Sequence, residues 1–189
     1  MDKLYKTLFL KAVKSQMAQR LPEFELVKPA ANAQGYDVFV GSMLYRQRGA
    51  ADRCAWLKWS PGPGMERYFH VSLGWSSGTA SLPYNPVRDE RTYSARGPIL
   101  DLPGGCIDLE QIEGRSGVGG ITIPTPWDQL LLVKAAAPRA VQQAAQMKAF
   151  AEAQALSEAD RALAVDVTLN DVFNRIQAKL PDFVAALKS

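Results

Sequence analysis

The apolar residues Leu4, Leu8, Val13, Met17 and Leu21 return every four or five positions, close to the 3.6-residue turn of a helix. Lysines fall largely between them and Pro22 supplies a stop, so the pattern predicts an amphipathic first helix that lies across a sheet. The periodicity then changes. Residues 36–47, 53–59 and 66–75 are rich in β-branched and aromatic side chains and are separated by turn formers, which predicts strands. In the third run Phe69, Val71, Leu73 and Trp75 alternate with Tyr68, His70, Ser72 and Gly74, giving one apolar and one mixed face. Pro61-Gly62-Pro63-Gly64 makes the preceding connection a turn, and residues 24–27 can open the sheet with a short strand. The expectation is a mainly antiparallel meander of at least three or four strands.

Residues 76–126 are dense in proline and glycine. An unstructured loop of that length is unusual in a compact domain, so part of it, 99–102 or 120–123, is expected to be strand or packed loop. After Pro126 the chain becomes rich in alanine and leucine, which favours helix. Trp127, Leu130, Leu131 and Val133 trace a first apolar face, Pro138 interrupts it, and residues 139–156 resume as a helix. Ser157 and Asp160 have the spacing of an N-terminal cap; Asn170 can cap a further helix over 171–180, and Pro181 restarts a last turn carrying Phe183, Val184 and Leu187. No repeat or Gly/Ser linker divides the chain. The reading is one α+β domain: helix plus sheet over 1–75, an irregular segment over 76–126, and helices over 127–189.

Composition places the chain among globular proteins, with 47% hydrophobic and 22% charged residues over 189 positions. Cys54 and Cys106 form no C-x-x-C pair and stand near no histidine cluster, so neither a zinc ribbon nor a thioredoxin-like motif is present. Lys3, Lys6, Lys11 and Lys14 interrupt any apolar leader, and no stretch approaches the roughly 20 apolar residues of a membrane span. A cytoplasmic protein with two unpaired thiols is expected. The net charge of +3 is uneven, because residues 1–60 hold ten Lys/Arg against five Asp/Glu.

Candidate chemistry is sparse. His70 is the single histidine, and no spacing supplies it with an orienting carboxylate and a nucleophile. The glycine-rich run 114–120 lacks the Gly-Lys-Ser/Thr ending of a phosphate loop, and Thr122 stands where a dinucleotide motif needs its third glycine. Asp101, Asp108, Glu110 and Glu113 could offer oxygen ligands but match no calcium-loop spacing, so no metal or cofactor is expected. The richest cluster is basic and aromatic. Arg46, Arg48, Arg53, Lys58 and Arg67 are interleaved with Tyr45, Trp56, Trp59, Tyr68 and Trp75. Such a mixture serves protein-binding hot spots, and Arg46, Arg48, Lys58 and Trp59 are the expected partner-binding residues. A charge of +3 attracts phosphate weakly at physiological salt, so an acidic protein surface, rather than nucleic acid, is the expected partner.

The order of elements resembles small bacterial α+β domains of unknown function, some of them immunity or accessory proteins. The features that carry it are a helix, a strand ending Tyr45-Arg46, a second with Trp56-Leu57-Lys58, a third reading Phe69-His70-Val71-Ser72-Leu73-Gly74-Trp75, and C-terminal helices ending Leu180-Pro181-Asp182-Phe183. The resemblance implies a non-catalytic binding protein and assigns no residue a role. The alternative is a small enzyme whose site is built from loops around His70 and the acidic residues of 101–113.

Overall fold

The computed structural model describes residues 3–27, 42–47, 53–62, 67–77, 93–94, 97–98, 104–114, 120–124 and 138–188. The chain begins with α1, Lys3–Arg20, and continues through strands β1 Phe24–Val27, β2 Met43–Gln47, β3 Arg53–Pro61 and β4 Tyr68–Ser77. The short strands β5 Tyr93–Ser94 and β6 Gly97–Pro98 pair with each other, β7 is Gly104–Asp108, α2 is Leu109–Ile112 and β8 is Ile121–Thr122. Two longer helices follow, α3 over Arg139–Ala155 and α4 over Glu158–Lys188. The architecture is α+β. Its six-stranded antiparallel sheet runs β1-β2-β3-β4-β7, and β8 shares the outer edge of β4 with β7. The expected strand at 99–102 and helix at 127–133 lie outside the described residues.

Register sorts the side chains into two faces. Directly paired residues point the same way, so Tyr45, Leu57 and Leu73 line one face, joined by Trp59 with Val71 and by Phe69 with Ile121. This inner face meets α1 and α4 in one core. The Phe9 ring lies 4.7 Å from Phe69 and 6.3 Å from Trp59, while Phe173 of α4 lies 5.0 Å from Trp59. Val13 and Met17 join the same core as Phe69, Val71 and Leu73, as the sequence suggests. Only the first two turns differ from the expected stripe: Tyr5 and Phe9 are buried and Leu8 lies at the margin, so that with Val13, Met17 and Leu21 the buried positions recur every four residues.

The start of α4 follows local chemistry. Ser157 Oγ accepts the Asp160 amide at 3.1 Å, and the Asp160 carboxylate accepts the Ser157 amide at 3.3 Å and the Ser157 hydroxyl at 2.7 Å. Beyond it, α4 departs from expectation, since neither Asn170 nor Pro181 ends the helix. Asn170 instead accepts a bond from Gln16 at 3.0 Å on its side chain and one from Arg20 at 3.4 Å on its carbonyl, fastening α1 to α4. A proline in a helix interior costs about 3 kcal/mol. Leu180, Phe183 and Leu187 all stay buried when the helix continues, each at about 1.5 to 3 kcal/mol, which outweighs that cost.

Tyr45 on the inner face provides a test of the core. Burial pushes its phenol up to about 12. The neutral ring is at home in the fold, so between about pH 10 and 12 the unfolded chain releases a proton that the folded chain retains. The stabilisation is fully present below pH 10 and is lost as pH rises through 12. Urea unfolding at pH 9 and pH 11 is expected to show Tyr45→Phe losing about 1 kcal/mol less over that interval than the natural chain. Equal losses would place the phenol in contact with water.

Candidate functional site

The opposite, outer face of the sheet carries the polar chemistry. Three cross-strand rows define it: Glu25 with Arg46, Trp56, Gly74 and Cys106; Val27 with Leu44, Lys58, Ser72 and Asp108; and Ser60 with His70. His70 therefore projects away from Phe69 and Val71, as the alternation of β4 requires.

Arg46 and Lys58, two of the expected partner-binding residues, share this face as diagonal neighbours. The Arg46 guanidinium bonds Glu25 Oε1 at 2.7 Å, lies 6.0 Å from the centre of the Trp56 ring, and leaves both charged side chains 37% exposed. Arg48 lies outside the described residues. Trp59 leaves the set: it points to the inner face, has no exposed surface, and packs among Phe9, Phe69 and Phe173. Trp56 holds the outer position, with its indole N–H donated to Ser76 Oγ at 2.8 Å. Two other arginines of the cluster serve the fold, Arg53 donating to the Leu187 carbonyl at 3.4 Å and Arg67 to that of Ile123 at 3.0 Å.

A second cluster forms where β7 and β8 part along the edge of β4. β7 pairs with Ser72–Ser76 and β8 with Tyr68–Phe69, so His70 sits at the split. Ser72 Oγ donates to Asp108 Oδ1 at 2.7 Å, while His70 Nδ1 lies 3.9 Å from Asp108 Oδ2, beyond hydrogen-bond length. The His70 and Asp108 side chains are 22% and 29% exposed. Gly120 closes against this spot at φ +64°, and a Cβ there would stand 2.9 Å from the Tyr68 ring and 3.0 Å from both His70 Cε1 and the Phe69 carbonyl, so only glycine fits.

Sequence spacing does not reveal that Asp108 meets His70, because the two are brought together by the β4–β7 register. The remaining acidic candidates separate. Glu113 forms a two-pronged pair with Arg175 of α4, Glu110 lies in the first turn of α2, and Asp101 is outside the described residues. Trp56 stands in the basic and aromatic cluster but not in the expected partner-binding set, Glu25 and Ser72 stand in neither, and the only sequence signal for their placement is strand parity with Arg46, Lys58 and His70.

The chemistry available is limited by how these groups are connected. The Ser72 hydroxyl is donated to a carboxylate and not to the imidazole, so serine, histidine and aspartate do not form a relay. Burial pushes the Cys106 thiol up; Lys58 opposes the shift and Asp108 adds to it, and the thiol is thus kept protonated and weakly nucleophilic. Among the described residues no group of three histidine, cysteine or acidic side chains could hold a metal ion, and no helix is long and apolar enough to cross a membrane. Comparison of the chain with protein-family models, curated proteins and solved structures finds no match.

Proposed function

We propose that this protein acts by binding a protein partner, and that the outer face around Arg46 and Lys58 is the surface it uses. The observation that carries the reading is the shared parity of Arg46 and Lys58, which puts two partly exposed cations on one face, beside the buried Trp56 ring and away from the main core. A guanidinium over an indole is a preorganised receptor for a carboxylate, which favours an acidic surface on the partner. Arg48, expected in the same set from the sequence, lies outside the described residues. The Ser72 hydroxyl is committed to Asp108 rather than to His70, and burial keeps the Cys106 thiol protonated, which favours binding over turnover. An immunity-type role, with the partner's active site covered by this face, is the form that the order of elements favours.

Pull-down from the native host, identification of the partner and measurement of affinity provide the test. Arg46→Ala and Lys58→Ala, checked for folding, are each expected to weaken binding about tenfold or more, about 1.4 kcal/mol. Unchanged affinity in both would put the interface elsewhere.

A second reading has its own observation, since His70 stands beside Asp108 at the split between β7 and β8, where a small molecule can be met by an imidazole and a carboxylate. Turnover of a small molecule that is lost in His70→Ala would replace the binding reading with this one.

The proposed location is the cytoplasm, in keeping with Cys54 and Cys106 forming no disulfide, and cell fractionation checks it. The two cysteines sit on opposite sides of β4, paired with Ser76 and Gly74. Two strand spacings, roughly 9 to 10 Å, separate their strands, beyond the reach of a disulfide at about 7 Å.

A further inference from the structure

We propose that the helical side of the fold, formed by α1 and the first half of α4, is a self-complementary surface that takes a second copy of this chain. The inference goes beyond the binding reading above and concerns the opposite side of the sheet from Arg46 and Lys58. Residues 3–20 hold four lysines, one arginine and no acidic residue, whereas residues 158–171 hold four carboxylates against one arginine. Lys3, Lys11 and Lys14 on α1 and Asp160, Asp166 and Asp171 on α4 are all exposed. Among the described residues no ion pair joins these two sets within one chain. The seam between the helices is held by neutral acceptors instead, with Gln16 donating to Asn170 and Arg20 to Asn174 and Gln177. Leu163 and Val167, one turn apart on α4, add two large apolar side chains at 63% and 58% exposure.

Position along the helices makes the two sets match. Arg161 lies over Tyr5 and Gln16 meets Asn170, so α1 and α4 run in the same direction, with Lys3 near the height of Asp160 and Lys14 near that of Asp171. Lys3 and Lys14 are eleven residues apart, and so are Asp160 and Asp171. Lys14 stands about 160° around α1 from Gln16, and Asp171 about 100° around α4 from Asn170, so both charges lie away from the seam. A two-fold axis along that seam keeps every residue at its height and lays α1 of each copy on α4 of the other. Lysines then face carboxylates on both flanks of the interface, with Leu163 and Val167 covered between them. Two helices about 27 Å long and about 10 Å wide offer roughly 500 Å² on each copy, about 1,000 Å² in total, which is the low end for specific association. The dimer is therefore weak, reversible and sensitive to salt.

Analytical ultracentrifugation of the intact chain over a dilution series up to about 1 mM tests this, at low and high salt, with Lys14→Glu, Asp171→Lys and Leu163→Ser each confirmed as folded by circular dichroism. The natural chain is expected to show a monomer–dimer equilibrium that weakens as salt is raised from about 0.05 M to about 0.5 M. Each charge reversal occurs twice in a two-fold dimer, so Lys14→Glu and Asp171→Lys are each expected to weaken association by about tenfold or more, and Leu163→Ser to weaken it at every salt concentration. An equimolar mixture of Lys14→Glu and Asp171→Lys restores opposite charges at both contacts and is expected to associate about as well as the natural chain. A natural chain that stays monomeric throughout, a dimer that neither reversal weakens, or a mixture that fails to recover would each overturn the proposal.

Discussion

Trp59→Ala is expected to lower the unfolding free energy by about 3 to 5 kcal/mol, the range seen when a buried aromatic side chain is truncated. The ring has no exposed surface and touches elements from both ends of the chain, Phe9 of α1 and Phe173 of α4, as well as Phe69 of the neighbouring strand. Removing it leaves a cavity where helix and sheet meet, and the surrounding rings cannot close it without giving up their contacts. Against a typical domain stability of about 5 to 15 kcal/mol, such a loss is a large share. Trp59→Phe is a sharper probe. Its smaller ring also leaves some space, but it removes an indole N–H that is buried without a hydrogen-bond partner in this structure, so the two effects oppose. The expected loss is about 1 to 2 kcal/mol, measured by urea unfolding. A loss below about 1 kcal/mol for Trp59→Ala would return this residue to the surface and to the partner-binding set.

The second large effect is expected at Arg175. Its Nε donates to Glu113 Oε1 at 2.8 Å, and a second nitrogen donates to the other carboxylate oxygen, with the side chains only 16% and 13% exposed. The Glu113 hydrogen bond raises the Arg175 guanidinium further above its already high ordinary value, against the opposing effect of burial, so the arginine is charged. Arg175→Ala leaves the Glu113 carboxylate largely desolvated with the Arg175 guanidinium gone. Breaking a fully buried pair costs about 3 to 5 kcal/mol, and the residual exposure brings the expectation to about 2 to 4. Asp171 also approaches Arg175, at 3.5 Å, but it is 70% exposed, and Asp171→Ala is expected to cost no more than about 0.5 kcal/mol. A double-mutant cycle between Glu113→Ala and Arg175→Ala checks the assignment, because the double variant should cost clearly less than the two single losses combined. Additive losses would show that each side chain acts alone. The pair also bears on the outer face, since Glu113 follows α2, and α2 follows Asp108. Loosening this attachment is expected to weaken the hold of Ser72 on Asp108, and the single histidine gives an unambiguous NMR signal with which to follow it.

Much of this architecture is determined by the sequence itself. The alternation from Tyr68 to Trp75 decides which side chains of β4 face the helices, because successive residues in an extended chain must point to opposite sides. The cap formed by Ser157 and Asp160 is equally local, its two residues being three positions apart. Where apolar and polar residues alternate, or a bond spans one turn, neighbouring residues carry the information.

Tertiary structure decided the rest. In β3 the run Cys54-Ala55-Trp56-Leu57 is buried on both faces, so hydrophobicity has no period, and nothing local says that Trp59 points in while Trp56 points out. Arg46 with Glu25, Asp108 with Ser72 and Glu113 with Arg175 lie 21, 36 and 62 positions apart, and only the strand register and the packing of α4 bring them together. Asn170 and Pro181 show the reverse. Both have the composition of a helix boundary, yet α4 runs through them, because the apolar stripe from Val165 to Leu187 stays in the core only if the helix is continuous. Local preference is worth up to about 3 kcal/mol at one position, and burying several large side chains along one face exceeds it.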